Sequence, residues 1–345
     1  MVFSSNVKFK SYDIRSGLSN NTVYGICQDR RGFIWMATDF GLNRFDGNNM
    51  KQYLTDEAGG ILGCHAVYCI KTDPRDGKIW MGTDRGLAQI DPETDSLKLF
   101  DRTTAEGKRI TGAVKNLCFD RNGNLWIHNY PHIYVFRCER DDLEQVDLGY
   151  HDEKNGIIPP GAIWIDSQDN TLWVAWHNWG IGCLEEGQTK PHLVARAPGA
   201  QLVMKGYGRD SLIVGTISNG LWVIDKKGRS IRQIKAVDGI DVGHIYVNDI
   251  LFDKEQVGWI CTLTGIYLLE KGRITQHISH ERMNPYALAD NHVLTAFEDR
   301  DGNMWLGFKM SGVGCHFKRA DNFMLYHPYR AFYDRQSVKA LEFDS

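Results

Sequence analysis

The chain has 345 residues, a formal net charge of −3 and 11% aromatic residues. Mixed charge without a basic surplus argues against a nucleic-acid partner, and no apolar run approaches the ~18 residues that a membrane span requires. The opening residues 1–6 have neither the basic start nor the apolar core of a signal peptide.

Residues 8–13, Lys-Phe-Lys-Ser-Tyr-Asp, read as one short strand. Then comes Thr22-Val-Tyr-Gly-Ile-Cys-Gln-Asp29, an apolar run ending in Asp, followed by a turn at Gly32 and a short strand around Trp35. A second turn at Gly41 leads to Leu42-Asn-Arg-Phe45, and Met50-Lys-Gln-Tyr-Leu54 completes a set of four strands. The same order returns around Trp80, Trp126, Trp173, Trp259 and Trp305, so the tryptophans step by 45, 46, 47, 86 and 46 residues. Ile213, in Asp210-Ser-Leu-Ile-Val-Gly-Thr-Ile-Ser-Asn-Gly220, fills the position missing from the double step.

Seven copies of one four-stranded unit, with no helical apolar stripe, predict an all-β fold: a seven-bladed β-propeller of four-stranded antiparallel blades. The blades fall near residues 15–54, 61–100, 110–148, 158–195, 200–235, 242–278 and 288–327, within a domain spanning 1–330. Residues 8–14 are expected to close the ring on the seventh blade, in competition with residues 322–327 for the same outer slot. Residues 336–344 restart the inner-strand pattern, which predicts that 331–345 begin a second propeller cut short.

Repetition also sorts the polar residues. Asp29, Asp120, Asp253 and Asp299 lie six residues before the core position, and Asp73 and Asp166 seven before it. A carboxylate repeated in nearly every unit reads as a turn cap, not as a catalytic or calcium-binding group. Cys27 and Cys118 lie eight residues before their tryptophans, Cys183 and Cys315 ten after theirs. These read as small buried apolar side chains, and no CxxC or Cys/His cluster with ligand spacing is evident, so no metal and no cofactor is expected.

Residues 17–47, including Phe33-Ile-Trp-Met-Ala-Thr-Asp-Phe-Gly-Leu-Asn-Arg-Phe-Asp46, resemble the opening blade of the two-component regulator propeller repeat. Lys78-Ile-Trp-Met-Gly-Thr-Asp-Arg-Gly-Leu-Ala-Gln-Ile-Asp91 resembles it again. The resemblance implies the first propeller of a periplasmic hybrid two-component sensor of gut bacteria. Such a sensor carries a second propeller, a β-sandwich, a membrane span and a histidine kinase, and works as a homodimer. On that reading the chain is a periplasmic, non-enzymatic sensor domain detecting oligosaccharides of a dietary or host polysaccharide, and its signal controls polysaccharide-utilisation genes. The alternatives are a propeller glycan lyase or glycosidase, and a scaffold that binds nothing and supports the second propeller.

The middle blades depart from the repeat: His128-Asn-Tyr-Pro-His132 and Ala175-Trp-His-Asn-Trp-Gly180 stand where Gly-Thr-Asp-x-Gly is expected. Flat aromatics and planar polar groups suit sugar rings, and Arg and Lys suit sulfated or uronate sugars. The expected ligand-binding set is therefore Tyr130, His132, Trp176, His177 and Trp179, with Arg85 and Lys309 from other hairpins and His65, Trp164, Tyr246 and His292 from the loops entering the inner strands.

Overall fold

Antiparallel pairing between strands adjacent in sequence generates nearly all of this molecule, because each Asp- or Gly-centred turn returns the chain beside itself. The computed structural model describes residues 7–318 apart from 54–63, 101, 153, 155, 186, 197–198 and 236–241, and the backbone alone of 201 and 202. Seven four-stranded sheets follow one another as the blades of a propeller. From inner to outer strand, blade 1 is Val23–Gln28, Ile34–Thr38, Gly41–Phe45 and Met50–Tyr53, and blade 2 is Val67–Thr72, Ile79–Thr83, Gly86–Asp91 and Ser96–Leu99. Blade 3 is Asn116–Phe119, Leu125–Asn129, His132–Arg137 and Asp142–Val146. Blade 4 is Pro160–Ile165, Leu172–Trp176, Gly180–Leu184 and His192–Ala195. Blade 5 is Gln201–Tyr207, Ser211–Thr216, Leu221–Asp225 and Ile231–Ile234, and blade 6 is Val247–Phe252, Gly258–Thr262, Gly265–Glu270 and Arg273–Ile278.

Blade 7 takes Val293–Glu298, Met304–Phe308 and Val313–His316 and receives its outer strand, Lys10–Tyr12, from the other end of the chain. The register is Lys10↔Cys315, Ser11↔Gly314 and Tyr12↔Val313. Gly312 admits this clasp, since at φ +74° a Cβ there would stand 2.1 Å from the Tyr12 carbonyl oxygen. Residues 322–327 and 331–345, assigned above to an outer strand and to a second propeller, lie outside the described residues. The only helical element among the described residues is the three-residue 3₁₀ turn Ile14–Ser16.

Each blade is apolar on both faces and packs against two neighbours, which gives seven hydrophobic clusters, one per interface. The cluster joining blades 7 and 1 contains Trp305, Cys315, Val23, Ile34 and Phe45, with Tyr12 of the clasp strand. An open arc of seven blades would have six such interfaces; the seventh closes the ring.

The recurrent Asp does more than cap. Asp29 Oδ1 accepts the Arg31 and Phe33 backbone amides, while its Oδ2 accepts the Trp35 indole N–H at 2.9 Å. Asp73–Trp80, Asp120–Trp126, Asp253–Trp259 and Asp299–Trp305 repeat this bond at 3.3, 3.1, 2.9 and 2.9 Å. One carboxylate thus folds the first hairpin and satisfies the polar atom of the aromatic it helps to bury, whose burial contributes about 2–3 kcal/mol. In blade 5 both members are replaced, by Tyr207 and Ile213. In blade 4 both are present but separated: Asp166 is drawn into a buried ion pair with Lys226 of blade 5, and Trp173 Nε1 has no partner.

Below the latches, basic side chains reach from one blade to turn carbonyls of the next. Arg30 donates to Arg75 O at 2.7 Å, Arg121 to Ser167 O at 2.6 Å, Lys254 to Arg300 O at 2.9 Å and Arg300 to Arg30 O at 2.9 Å. The last of these crosses the ring closure.

Asp29→Ala is expected to lower unfolding stability by about 2–4 kcal/mol, because a buried indole N–H and two turn amides lose their acceptor. Denaturant titration followed by tryptophan fluorescence checks this, and a loss below about 1 kcal/mol would show that the latch is replaceable by solvent.

Candidate functional site

The loops entering the inner strands and the second hairpins share one face of the disc, here the upper face. In six blades the first inner-strand residues are out of register with the second strand, between Val23 and Gly25, Val67 and Cys69, Pro160 and Ala162, Gln201 and Val203, Val247 and Asp249, and Val293 and Thr295. A bulge leaves one residue unpaired and re-aims it. The unpaired residues are Tyr24 and Tyr68 in blades 1 and 2, and Lys115 stands at the equivalent place in blade 3, its amide donating to His128 O.

These side chains form an arc over four blades at the mouth of the central channel. Lys309 Nζ of blade 7 lies 5.4 Å from the Tyr24 ring centre, and the Tyr24 and Tyr68 rings meet edge to face at 5.4 Å. Lys115 Nζ lies 3.2 Å from the centre of Tyr68. Asp39 accepts the Tyr24 hydroxyl at 3.2 Å. Burial, with Asp39 beside it, pushes the Tyr24 phenol up to about 12, and burial lowers the Lys115 ammonium from its usual range, opposed by Asp39 and reinforced by Lys309. Two ammonium groups that repel each other across aromatic rings favour a negatively charged guest between them.

Below the mouth the seven inner strands line a channel of about 580 Å³. Lys71, Trp164, Lys205 and Asp249 face it; burial lowers the Lys205 ammonium, which Asp249 opposes and Lys71 reinforces. Beside the mouth, between blades 3 and 4, a pocket of about 460 Å³ is lined by Lys115, Asn116, His128, Tyr130, Gly161 and His177. Gly161 keeps it open, since a Cβ there would come within 2.9 Å of the His177 ring.

The expected residues divide accordingly. Tyr130, 56% exposed, and His177 line the lateral pocket, and Trp164 lines the channel. Lys309 belongs to the arc, and His292, whose imidazole burial lowers with Lys309 adding to the effect, stands near it. Trp176 departs from expectation: it is fully buried and donates its indole N–H to Leu148 O at 2.7 Å, so it belongs to the core between blades 3 and 4. Trp179 packs beside it, 5.3 Å from Tyr150 and beneath the Arg196 guanidinium at 4.5 Å. His132 is exposed and bonded to Gln145, and His65, Arg85 and Tyr246 line none of these cavities. Tyr24, Tyr68 and Lys115 escaped the sequence reading; the signal was an aromatic or basic residue at one fixed place in the inner strand, where blades 4 and 7 have Gly161 and Leu294.

The family described as the two-component regulator propeller matches residues 17–40 and 287–309, in blade 1 and in the approach to and first hairpin of blade 7. Two of the seven blades thus match the two-component regulator propeller repeat. Over 50 residues, 14% of the chain and 4% of the relative, the chain is 46% identical to histidine kinase P4 of Formosa agariphila. Its fold is that of the extracellular domains of two B. thetaiotaomicron hybrid two-component system proteins. The first, BT3049, superposes with a TM-score of 0.74 at 21% identity over 90% of this chain and 41% of that one. The second, BT4673, gives 0.74 at 19% identity over 90% and 40%. The chain therefore spans about two fifths of those extracellular domains. None of its described helices is long and apolar enough to cross a membrane.

The lateral pocket carries a measurable titration. Burial holds His128 at about 4, below its ordinary 6.5, and its Nε2 lies 3.2 Å from Pro160 O. As pH falls through 6.5 the unfolded chain takes up a proton that the folded imidazole refuses until about 4, so stability falls across that window. His128→Gln should remove up to about 3 kcal/mol of this pH dependence, read as the difference between wild-type and variant denaturant stabilities at successive pH values from neutral to mildly acidic. Parallel curves would show that His128 protonates freely in the folded state.

Proposed function

We propose that this regulator propeller is a ligand-binding domain of a periplasmic two-component sensor. It binds acidic oligosaccharides, sulfated or uronate-containing, at the Lys309–Tyr24–Tyr68–Lys115 arc. The carrying observation is the arc itself: four side chains from four blades in mutual contact at the channel mouth, with cations at both ends. Sugar hydroxyls find Asp39 and the two phenols, while a sulfate or carboxylate offsets the repulsion between the lysines. Tyr130 and His177 in the adjoining pocket extend the surface to a second sugar unit. The reading assigns no chemistry to the domain: Asp39 accepts the Tyr24 hydroxyl and Asp84, near Tyr68, accepts the His65 amide, so both carboxylates are engaged in holding the arc and its loops.

On this reading the parent protein is a homodimeric membrane sensor with a second propeller and a β-sandwich. Binding biases one dimer arrangement over another, and a histidine kinase reports the bias to polysaccharide-utilisation genes. Signalling then requires different ligand affinities in the two arrangements.

Calorimetry of the chain with matched neutral and sulfated or uronate oligosaccharides tests the proposal. The acidic members should bind at least about tenfold more tightly, and Tyr24→Ala with Tyr68→Ala should weaken them by at least about tenfold. Lys115→Met should erase the preference for the acidic members. Equal affinities for neutral and acidic sugars, or binding indifferent to these variants, would refute it.

A further inference from the structure

The outer half of blade 4 gathers side chains that the upper face does not use. Cys183 on the third strand and His192 on the outer strand are direct Cα partners, and Glu185, two residues after Cys183, lies on the same side of the sheet. One ligand atom from each of the three lies within 4.8 Å of the other two. Cys183 Sγ and His192 Nε2 lie 3.5 Å apart.

That separation, bridged by a thiol–imidazole hydrogen bond, is also the one that two ligands of a single zinc ion adopt. A tetrahedral zinc ion with Zn–S about 2.3 Å and Zn–N about 2.05 Å holds its sulfur and nitrogen ligands about 3.6 Å apart. Paired backbones already place this thiol and this imidazole at that separation. The carboxylate closes a third corner by side-chain rotation at the exposed end of the strand. Cys183 is buried while Glu185 and His192 are exposed, which gives a cation a path from solvent to the sulfur. The three residues also line a cavity of about 690 Å³ between blades 4 and 5. Trp173, which shares that lining and pairs with Cys183 on the opposite strand, is the tryptophan whose Asp latch is broken.

We propose that blade 4 carries a zinc site formed by the Cys183 thiolate, the Glu185 carboxylate and His192 Nε2, with its fourth position open to the cavity. Binding forms a zinc–sulfur bond and releases the thiol proton to solvent. Three side chains from a hairpin become one coordination unit, and the 185–192 connection is pinned to the sheet. This inference goes beyond the sugar-binding reading and stands apart from it, since the cluster and the arc share no residue.

The metal-free chain, titrated with zinc against a chromophoric chelator, should take up about one equivalent with micromolar or tighter affinity. Cobalt substitution should produce a thiolate-to-cobalt band in the near ultraviolet. Cys183→Ser should abolish that band, and Cys183→Ser and His192→Ala should each weaken zinc at least about a hundredfold, with Glu185→Gln weakening it about tenfold. His192 is exposed, so His192→Ala keeps the test valid should the buried Cys183→Ser variant fail to fold. Absence of zinc uptake at micromolar concentration, uptake unchanged in His192→Ala, or cobalt binding without the thiolate band would each overturn the assignment.

Discussion

The bond from an aspartate to the indole six or seven residues further along, across the first turn, is the interaction on which the remaining architecture depends. A propeller blade buries both faces, so the repeated tryptophan between blades must find an acceptor for its N–H inside the protein. The carboxylate of the first turn is the nearest such group, and it is itself buried in Asp29, Asp73 and Asp299. Each member of the pair removes the cost of burying the other. The turn is thereby locked to the core, the inner strand is held at fixed register, and the next blade meets an aromatic wall of defined height.

The chemistry gathers where a strand departs from this rule or escapes its control. The latch acts at the lower end of the inner strand and leaves the upper end to a bulge, where the outgoing side chain is unconstrained by packing. Tyrosine and lysine at that place in blades 1 to 3 cost the fold little and confront one another across the mouth. In blade 4 an ion pair with Lys226 takes the aspartate from its tryptophan, and this is also the blade whose outer strands collect sulfur, imidazole and carboxylate.

Blade number, strand order and the architectural role of the repeated Asp were legible in the sequence because each is periodic, and periodicity survives the lack of coordinates. The site was less legible, for an instructive reason. Departure from the repeat at residues 128–132 and 175–180 was read as a departure toward binding, and for Tyr130 and His177 it leads to a pocket. Trp176 lies at the end of a strand, where one step of the pleat decides between solvent and core, and there it fills the interface and bonds Leu148. The Lys–Tyr–Tyr–Lys arc is not legible in the sequence because its members are more than 40 residues apart and become neighbours only through the stacking of blades 1 to 3 and, for Lys309, through ring closure. Cys183, Glu185 and His192 lack any familiar spacing; the hairpin register, not the sequence interval, joins them.

The three-residue pairing of Lys10–Tyr12 with Val313–His316 also has a mechanical meaning. Tension at the entering chain acts on this short pair of strands together with the Phe9 amide bond to Tyr286 O and the buried Phe9 side chain, whereas tension within any other blade is shared by turns, latch and neighbours. The clasp is therefore the first bond row to yield under load, and it would part without disturbing the inner strands. A linker pulling at that point would loosen the outer rim of blade 7 while the channel kept its shape.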